Sequence, residues 1–238
     1  MINRFDVLAV CSEADRLSVN RAEQTYVIPN GANPQTIHVR KNLEKPILGF
    51  IGNCGFWPNE NGLNWFIHEV WPLIKREVPE TELRIVGAES DRLFPTMGPD
   101  IAGLGWLADP GEEIASWSAT IVPIKMGSGT RVKVAEGFAR KCPIVSTSFG
   151  AFGYDVESGR ELILANAPDE FAAACLHLIR NPQSGEELAE RAYARFLECW
   201  TWNSFQGSVE NAVQACLSRS DVGSSTSKED TLHTLTSF

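Results

Sequence analysis

Positive charge is scarce in this sequence: 21 Lys and Arg stand against 30 Asp and Glu, a formal net charge of −9. A general nucleic-acid binder neutralises phosphates over a broad surface and is basic, so that class is excluded and any anion site must be local. Long apolar runs are missing too. None approaches the ~18 residues that a membrane-spanning helix needs, so no transmembrane segment is expected. The apolar patch Val7 to Val10 is followed at once by acidic residues, unlike the longer core of a secretion signal. Cysteine is present six times (Cys11, Cys54, Cys142, Cys175, Cys199, Cys216), never at C-x-x-C spacing, and the four histidines (His38, His68, His177, His233) are scattered. No metal site is expected from such a set. Several of the cysteines sit in apolar stretches such as Lys141-Cys142-Pro143-Ile144-Val145, where cysteine serves as a small buried hydrophobe. A cytoplasmic compartment fits this usage best. Two cofactor fingerprints are absent as well. There is no G-x-G-x-x-G, and none of the three tyrosines (Tyr26, Tyr154, Tyr193) has a lysine four residues on. A nucleotide-dependent dehydrogenase or epimerase is thereby disfavoured.

What is present is ordinary for a folded domain: 238 residues, 43% hydrophobic and 21% charged. Strand-like and helix-like segments alternate, the signature of an α/β fold with a mostly parallel sheet. Phe5–Val10 reads as a strand and Glu13–Val19 as a helix capped by Ser12. Tyr26–Pro29 is extended and ends in the turn Asn30-Gly31. Residues 32–45 show no period and read as a linker. Regularity begins at Pro46. Ile47–Gly52 is a buried-type strand, and Asn59–Glu77 a helix carrying Leu63, Phe66, Ile67, Val70 and Ile74 on one face. Further strands are expected at Leu83–Gly87, Ile101–Trp106, Thr120–Ile124, Ile144–Thr147 and Glu161–Leu164, with helices at Glu112–Trp117 and Thr130–Arg140. Helices at Pro168–Arg180, Gly185–Glu198 and Ser204–Leu217 close the fold. Residues 220–238 are rich in Ser and Thr, have little to bury, and are expected to be disordered. The domain organisation expected is thus 1–31, a linker at 32–45, a main domain with its C-terminal helices at 46–219 and a tail at 220–238.

In an open parallel sheet, ligands bind at the carboxyl ends of the strands, where helix N-termini face them. Two loops suit that role. Gly49-Phe50-Ile51-Gly52-Asn53-Cys54-Gly55 has glycines that allow close backbone approach to a phosphate, although a plain tight turn explains them equally. The second loop, Gly127-Ser128-Gly129, leads directly into Thr130-Arg131-Val132-Lys133. Two cations in a first helical turn oppose the helix dipole, at a few tenths of a kcal/mol each. Arg131 also shares a helical face with Val134, Ala135 and Phe138, where an unpaired cation is costly. A diphosphate bound there by Arg131, Lys133 and the loop amides removes both difficulties. The competing explanation, a surface ion pair between Lys133 and Glu136, leaves Arg131 unexplained. Glu136 lies one turn deeper; a carboxylate beside a phosphate needs a neutral partner, and ribose hydroxyls supply one.

The run from Gly129 to Thr147, GTRVKVAEGFARKCPIVST, resembles the donor-site motif of GT-B glycosyltransferases of family 4. Phe50-Ile51-Gly52 with Trp57-Pro58-Asn59-Glu60-Asn61 is similar to the first strand and loop of that family's C-terminal domain. Val27–Gly31 resembles its interdomain crossing, and Thr201-Trp202-Asn203 the start of its final helix. The resemblance implies a Rossmann-like, nucleotide-sugar-binding domain that transfers a sugar to an acceptor with retention of configuration and without a bound metal or other cofactor. It implies that Arg131 and Lys133 hold the diphosphate leaving group and stabilise its growing charge. Glu136 would bond the ribose, with Gly52, Asn53, Gly127, Ser128, Gly129 and Thr130 on the phosphate side. Gly105 and Trp106 would lie on the base side. One departure concerns the sugar: where the family often carries a second glutamate, this chain has Ser128. Another concerns the acceptor, glycan, lipid or other, whose site belongs mainly to an N-terminal domain of which only residues 1–31 are expected here. A domain that binds the donor without transferring it is the alternative, leaving Phe149, Phe152 and Tyr154 as an exposed face for a partner chain unless they fold back onto the domain itself. Among the tryptophans, only Trp57 and Trp106 are expected at the ligand edge; most of the others are expected in the core.

Overall fold

A computed structural model describes residues 5, 7–19, 24–40, 45–95, 98, 100–127 and 132–225. Strands β1 (Leu8–Val10) and β2 (Thr25–Val27) pair in parallel as a small separate sheet, joined through helix α1 (Glu13–Ser18). Ser12 caps α1 as expected, its Oγ accepting from the Asp15 amide at 3.1 Å. The main sheet has six parallel strands: β3 (Ile47–Ile51), β4 (Glu82–Val86), β5 (Ile101–Gly105), β6 (Ala119–Val122), β7 (Ile144–Ser146) and β8 (Ile163–Leu164). Their order is β5-β4-β3-β6-β7-β8. After β5 the chain therefore returns across the sheet to the other side of β3, which makes the carboxyl ends of β3 and β6 the switch point where α/β sheets bind ligands. β3 and β6 are buried throughout, as apolar strands covered on both faces must be.

Helices α2 (Trp57–Trp65), α3 (Trp71–Glu77), α4 (Ser90–Leu93), α5 (Gly111–Ile114), α6 (Val132–Ala139), α7 (Pro168–Arg180), α8 (Pro182–Cys199) and α9 (Gln206–Ser225) flank the sheet. α2 begins at Trp57, ahead of the expected Asn59, because Pro58 fits the first turn of a helix. Between α2 and α3 the helix is continuous but widens into a π turn at Phe66–Val70. The sequence explains it. Buried residues recur as Gly62/Leu63, Phe66/Ile67, Val70/Trp71 and Ile74, a repeat of four. A regular α-helix, at about 3.6 residues per turn, drifts ~40° with each such step, and the wider turn absorbs the drift. α9 continues to Ser225, beyond the expected end at Leu217 and into the segment expected to be disordered. No proline interrupts it, and backbone bonds propagate past the last buried turn at Ala212. Residues 226–238 of that segment lie outside the described residues.

Two hydrophobic clusters result. The larger joins Leu48 and Phe50 to Leu63, Phe66 and Ile74, to Phe138 of α6 and to Phe171 of α7. The smaller comprises Ile47, Ile51, Val86, Ile114, Trp117 and Cys142. Trp117 lies so close over β3 that a Cβ on Gly49 would stand 1.9 Å from its ring. Of the aromatics expected to be exposed, Tyr154 is instead buried, edge-on to Trp200 at 5.3 Å and to Phe138 at 6.4 Å. Its ring lies against two large aromatics, a better environment than water. Phe149 and Phe152 stack on each other at 6.3 Å, with Phe152 left 40% exposed. Trp65, Trp71, Trp117 and Trp200 are buried, and Trp57 and Trp106 exposed, as expected. Trp202 is exposed and covers Gly31, where a Cβ would meet its backbone nitrogen at 2.9 Å. The segment after β2 thus meets the start of the final helices, with the Ala32 amide donating to Trp200 O at 3.0 Å.

Candidate functional site

Three neighbouring strands end in glycine at positive φ: Gly52 after β3 (+153°), Gly87 after β4 (+129°) and Gly105 closing β5 (+70°). At Gly87 the requirement is steric as well, since a Cβ there would lie 2.1 Å from the Gly52 carbonyl oxygen. The strand ends can therefore pack edge to edge and leave an open floor above them. The amides of this floor are spent internally. Gly52 N donates to Val86 O at 2.9 Å, Cys54 N to Ala88 O at 2.9 Å, and Gly55 N to the Asn53 side chain at 2.9 Å. The glycines of this loop make room, the tight-turn role also weighed for them from the sequence, and the nearest positive charge comes from elsewhere.

That charge is Lys133, in the first described turn of α6. Its Nζ donates to Asn59 Oδ1 at 2.7 Å and lies 5.1 Å from the centre of the Phe50 ring. Asn59 is itself buried in the first turn of α2 and donates from Nδ2 to Asn53 O at 2.7 Å. The loop after β3, the start of α2 and the start of α6 are thereby tied around one ammonium group. Glu136, weighed from the sequence as a partner for Lys133, is joined by Arg140, Nη2 to Oε1 at 3.4 Å.

Two cavities flank this group. One, of 310 Å³, lies between Gly52, Asn53, Phe56, Asn59, Lys133 and Glu136. The other, of 370 Å³, lies between Gly52, Asn53, Gly87, Trp106, Glu136 and Arg140. Gly52, Asn53 and Glu136 line both, so the two spaces meet along that edge. Trp106 stands at the rim of the second, 72% exposed, whereas Gly105 contributes backbone geometry, its amide held by Ser90 Oγ at 2.9 Å. Gly127 ends the loop after β6 at φ +116°. The positions Ser128, Gly129, Thr130 and Arg131 lie outside the described residues. Sequence reasoning missed Asn59 and Arg140 as site residues. A polar residue just inside a helix start, in Trp57-Pro58-Asn59, was the available signal for the first; an arginine one turn beyond Glu136 was the signal for the second.

Nucleophilic chemistry by the nearby thiol is excluded by its surroundings. Burial pushes Cys54 up to about 12, overriding the pull of Lys133, with Glu60 pushing the same way. Among the described residues, no group of three or more His, Cys, Asp or Glu stands where it could hold a metal ion. No described helix is long and apolar enough to cross a membrane.

Comparisons with known proteins agree with this architecture. An uncharacterized 44.6 kDa protein in the cps region of Klebsiella pneumoniae is 26% identical over 156 residues, covering 61% of this chain and 40% of that protein. S. aureus TarM, in a crystal structure with Fondaparinux, alpha-GlcNAc-glycerol and UDP, superposes with a TM-score of 0.73. It is 17% identical, over 88% of this chain and 44% of TarM. Anabaena HepE, solved with UDP and glucose, gives a TM-score of 0.69 at 18% identity, over 89% of this chain and 64% of HepE. The chain spans about two fifths of the length of the curated relatives it matches. Residues 45–181, more than half of the chain, match the family described as Glycosyl transferases group 1. With a parallel Rossmann-like sheet, and by the match over more than half of its length, this chain belongs to the Glycosyl transferases group 1 family.

Proposed function

We propose that this chain is the donor-binding half of a retaining glycosyltransferase, taking a glycosyl group from a nucleoside-diphosphate sugar. The observation that carries the reading is the convergence of Gly52, Asn53, Lys133 and Glu136 on two adjoining cavities at the sheet's switch point. In it, the diphosphate takes the place of Asn59 as the acceptor for Lys133 Nζ, with Arg131 beside it as the resemblance implies. Both cations gain as negative charge grows on the departing phosphate, so they stabilise the transition state more than the ground state. Because two cations supply that charge, the proposal includes no metal and no other cofactor. Glu136 accepts from the ribose hydroxyls, and the base lies in the second cavity toward Trp106 and Leu107. UDP in the TarM and HepE structures favours a uridine nucleotide. The acceptor, a glycan, lipid or other hydroxyl compound, meets the donor from the remaining domain. The domain division 1–31, 32–45, 46–219 and 220–238, a cytoplasmic location and peripheral membrane association belong to the same proposal.

The test is thermal stability of the purified chain against UDP-, GDP- and ADP-sugars. A ligand at a hundredfold its Kd adds about 2.7 kcal/mol. In a domain of this size that raises Tm by roughly 5–10 °C. Lys133→Ala and Arg131→Ala are expected to cut the shift to about half or less at the same ligand concentration. A well-folded wild-type sample that shifts with none of these ligands overturns the proposal.

A further inference from the structure

Arg140 follows the last turn of α6 and is unusual in its burial: its side chain is 9% exposed, yet its Nε is buried without a hydrogen-bond partner. The rest of the guanidinium is shared between two carboxylates. Nη2 lies 3.4 Å from Glu136 Oε1, and Nη1 lies 3.8 Å from Asp109 Oδ1. Asp109 is itself fixed, because its Oδ1 also accepts from the Gly111 amide at 2.9 Å. A purely structural arginine at this depth would be expected to use its whole fork, since an unmade buried bond is costly. Arg140 instead forms part of the wall of the second cavity, together with Glu136 and Trp106.

We propose that Arg140 is a positioning residue for the donor's ribose: anchored by Asp109, it holds the Glu136 carboxylate against the wall shared by the two cavities. This rests on the donor-site reading above and extends it. Glu136 is 30% exposed and on a helix face, so without a partner its carboxylate has several rotamers open to it. The guanidinium selects one of them, and Asp109 ties that choice to the loop carrying Trp106, Leu107 and Ala108. Ribose and base are thereby read by one connected set of groups rather than by independent contacts.

The test is calorimetric binding of UDP, GDP and ADP to the wild-type chain, then of the tightest of them and its 2′,3′-dideoxyribose analogue to the variants. Arg140→Met is expected to weaken the nucleotide about tenfold but the dideoxy analogue less than twofold, because only the ribose contact is lost. Arg140→Lys should recover part of the loss. Asp109→Asn, at an exposed position, should reproduce a smaller version of it and serves where Arg140→Met fails to fold. Equal weakening of both ligands, or no weakening in any variant, overturns the inference while leaving the donor site standing. A wild-type chain that binds none of the three nucleotides overturns the donor-site reading, and this inference with it.

Discussion

The two hydrophobic clusters differ in kind. The larger draws on α2, α3, α6, α7 and α8, and its rings contact several others: Phe171 meets Trp65 at 5.6 Å and Phe66 at 5.7 Å. The smaller is dominated by one side chain, Trp117, seated on Gly49 and fenced by polar groups. Trp117 Nε1 donates to Glu113 Oε1 at 2.9 Å, Glu113 takes Arg84 at 3.2 Å, and Arg40 reaches the Trp117 carbonyl at 2.5 Å. A cavity opened in the large cluster has many neighbours able to relax into it. One opened beneath Trp117 has few, so equal losses of volume should not cost equal amounts of stability.

Trp117→Ala and Trp65→Ala, which remove the same volume and one indole-to-carboxylate hydrogen bond each, put that difference to the test. We expect about 5 kcal/mol for the first and about 3 kcal/mol for the second, read from denaturant midpoints at constant slope. Equal costs would mean that the small cluster collapses as readily as the large one. Gly49→Ala approaches the same contact from below. The added methyl forces the Trp117 ring aside, at about 1–3 kcal/mol, and Trp117→Leu in the same chain should restore part of it. Lys133→Ala marks the opposite extreme: little change in stability, but a nucleotide affinity lowered about 10- to 100-fold in calorimetry. Should stability fall and affinity hold, Lys133 is a packing residue. The last effect is confined to alkaline pH. The folded chain holds the Cys54 proton up to about 12, whereas an ordinary thiol releases it near 9.0, and burial raises Cys142 and Cys175 too. Stability is thus full below pH 9 and falls as the pH climbs toward 12. A Tm profile measured from pH 8 to 11 should flatten in Cys54→Ala.

Much of this was legible in the sequence because local pattern and tertiary role agree. β3 and β4 are continuous apolar runs, and α7 spans Pro168–Arg180 as its proline start and apolar face indicate. Lys133 and Glu136 were marked by charge placed where a helix does not favour it. Less legible were features that depend on a partner distant in sequence. The use of the Gly52 amide by Val86, the burial of Tyr154 against Trp200 and the reach of Arg140 to Asp109 each join separate segments, and no periodicity records them. α4 was missed because only four residues form it, entered through Glu89 at φ +68°. For the loop after β3 the sequence left two roles open, for a related reason. Glycine spacing shows that a backbone can come close, but not to what.

The π turn at Phe66–Val70 joins, in one unbroken rod, the Asn59 that holds Lys133 and the Ile74 that fills the core. Insertions and deletions are therefore not interchangeable along it. Removing one residue from the widened turn would let the rod wind regularly with both ends still facing as they do, whereas removing one elsewhere swings one end about 100° against the other. In that second case either Ile74 leaves the interior or Asn59 lets go of the ammonium. A chain one residue shorter at this turn can therefore keep both contacts, and one shorter beside it cannot.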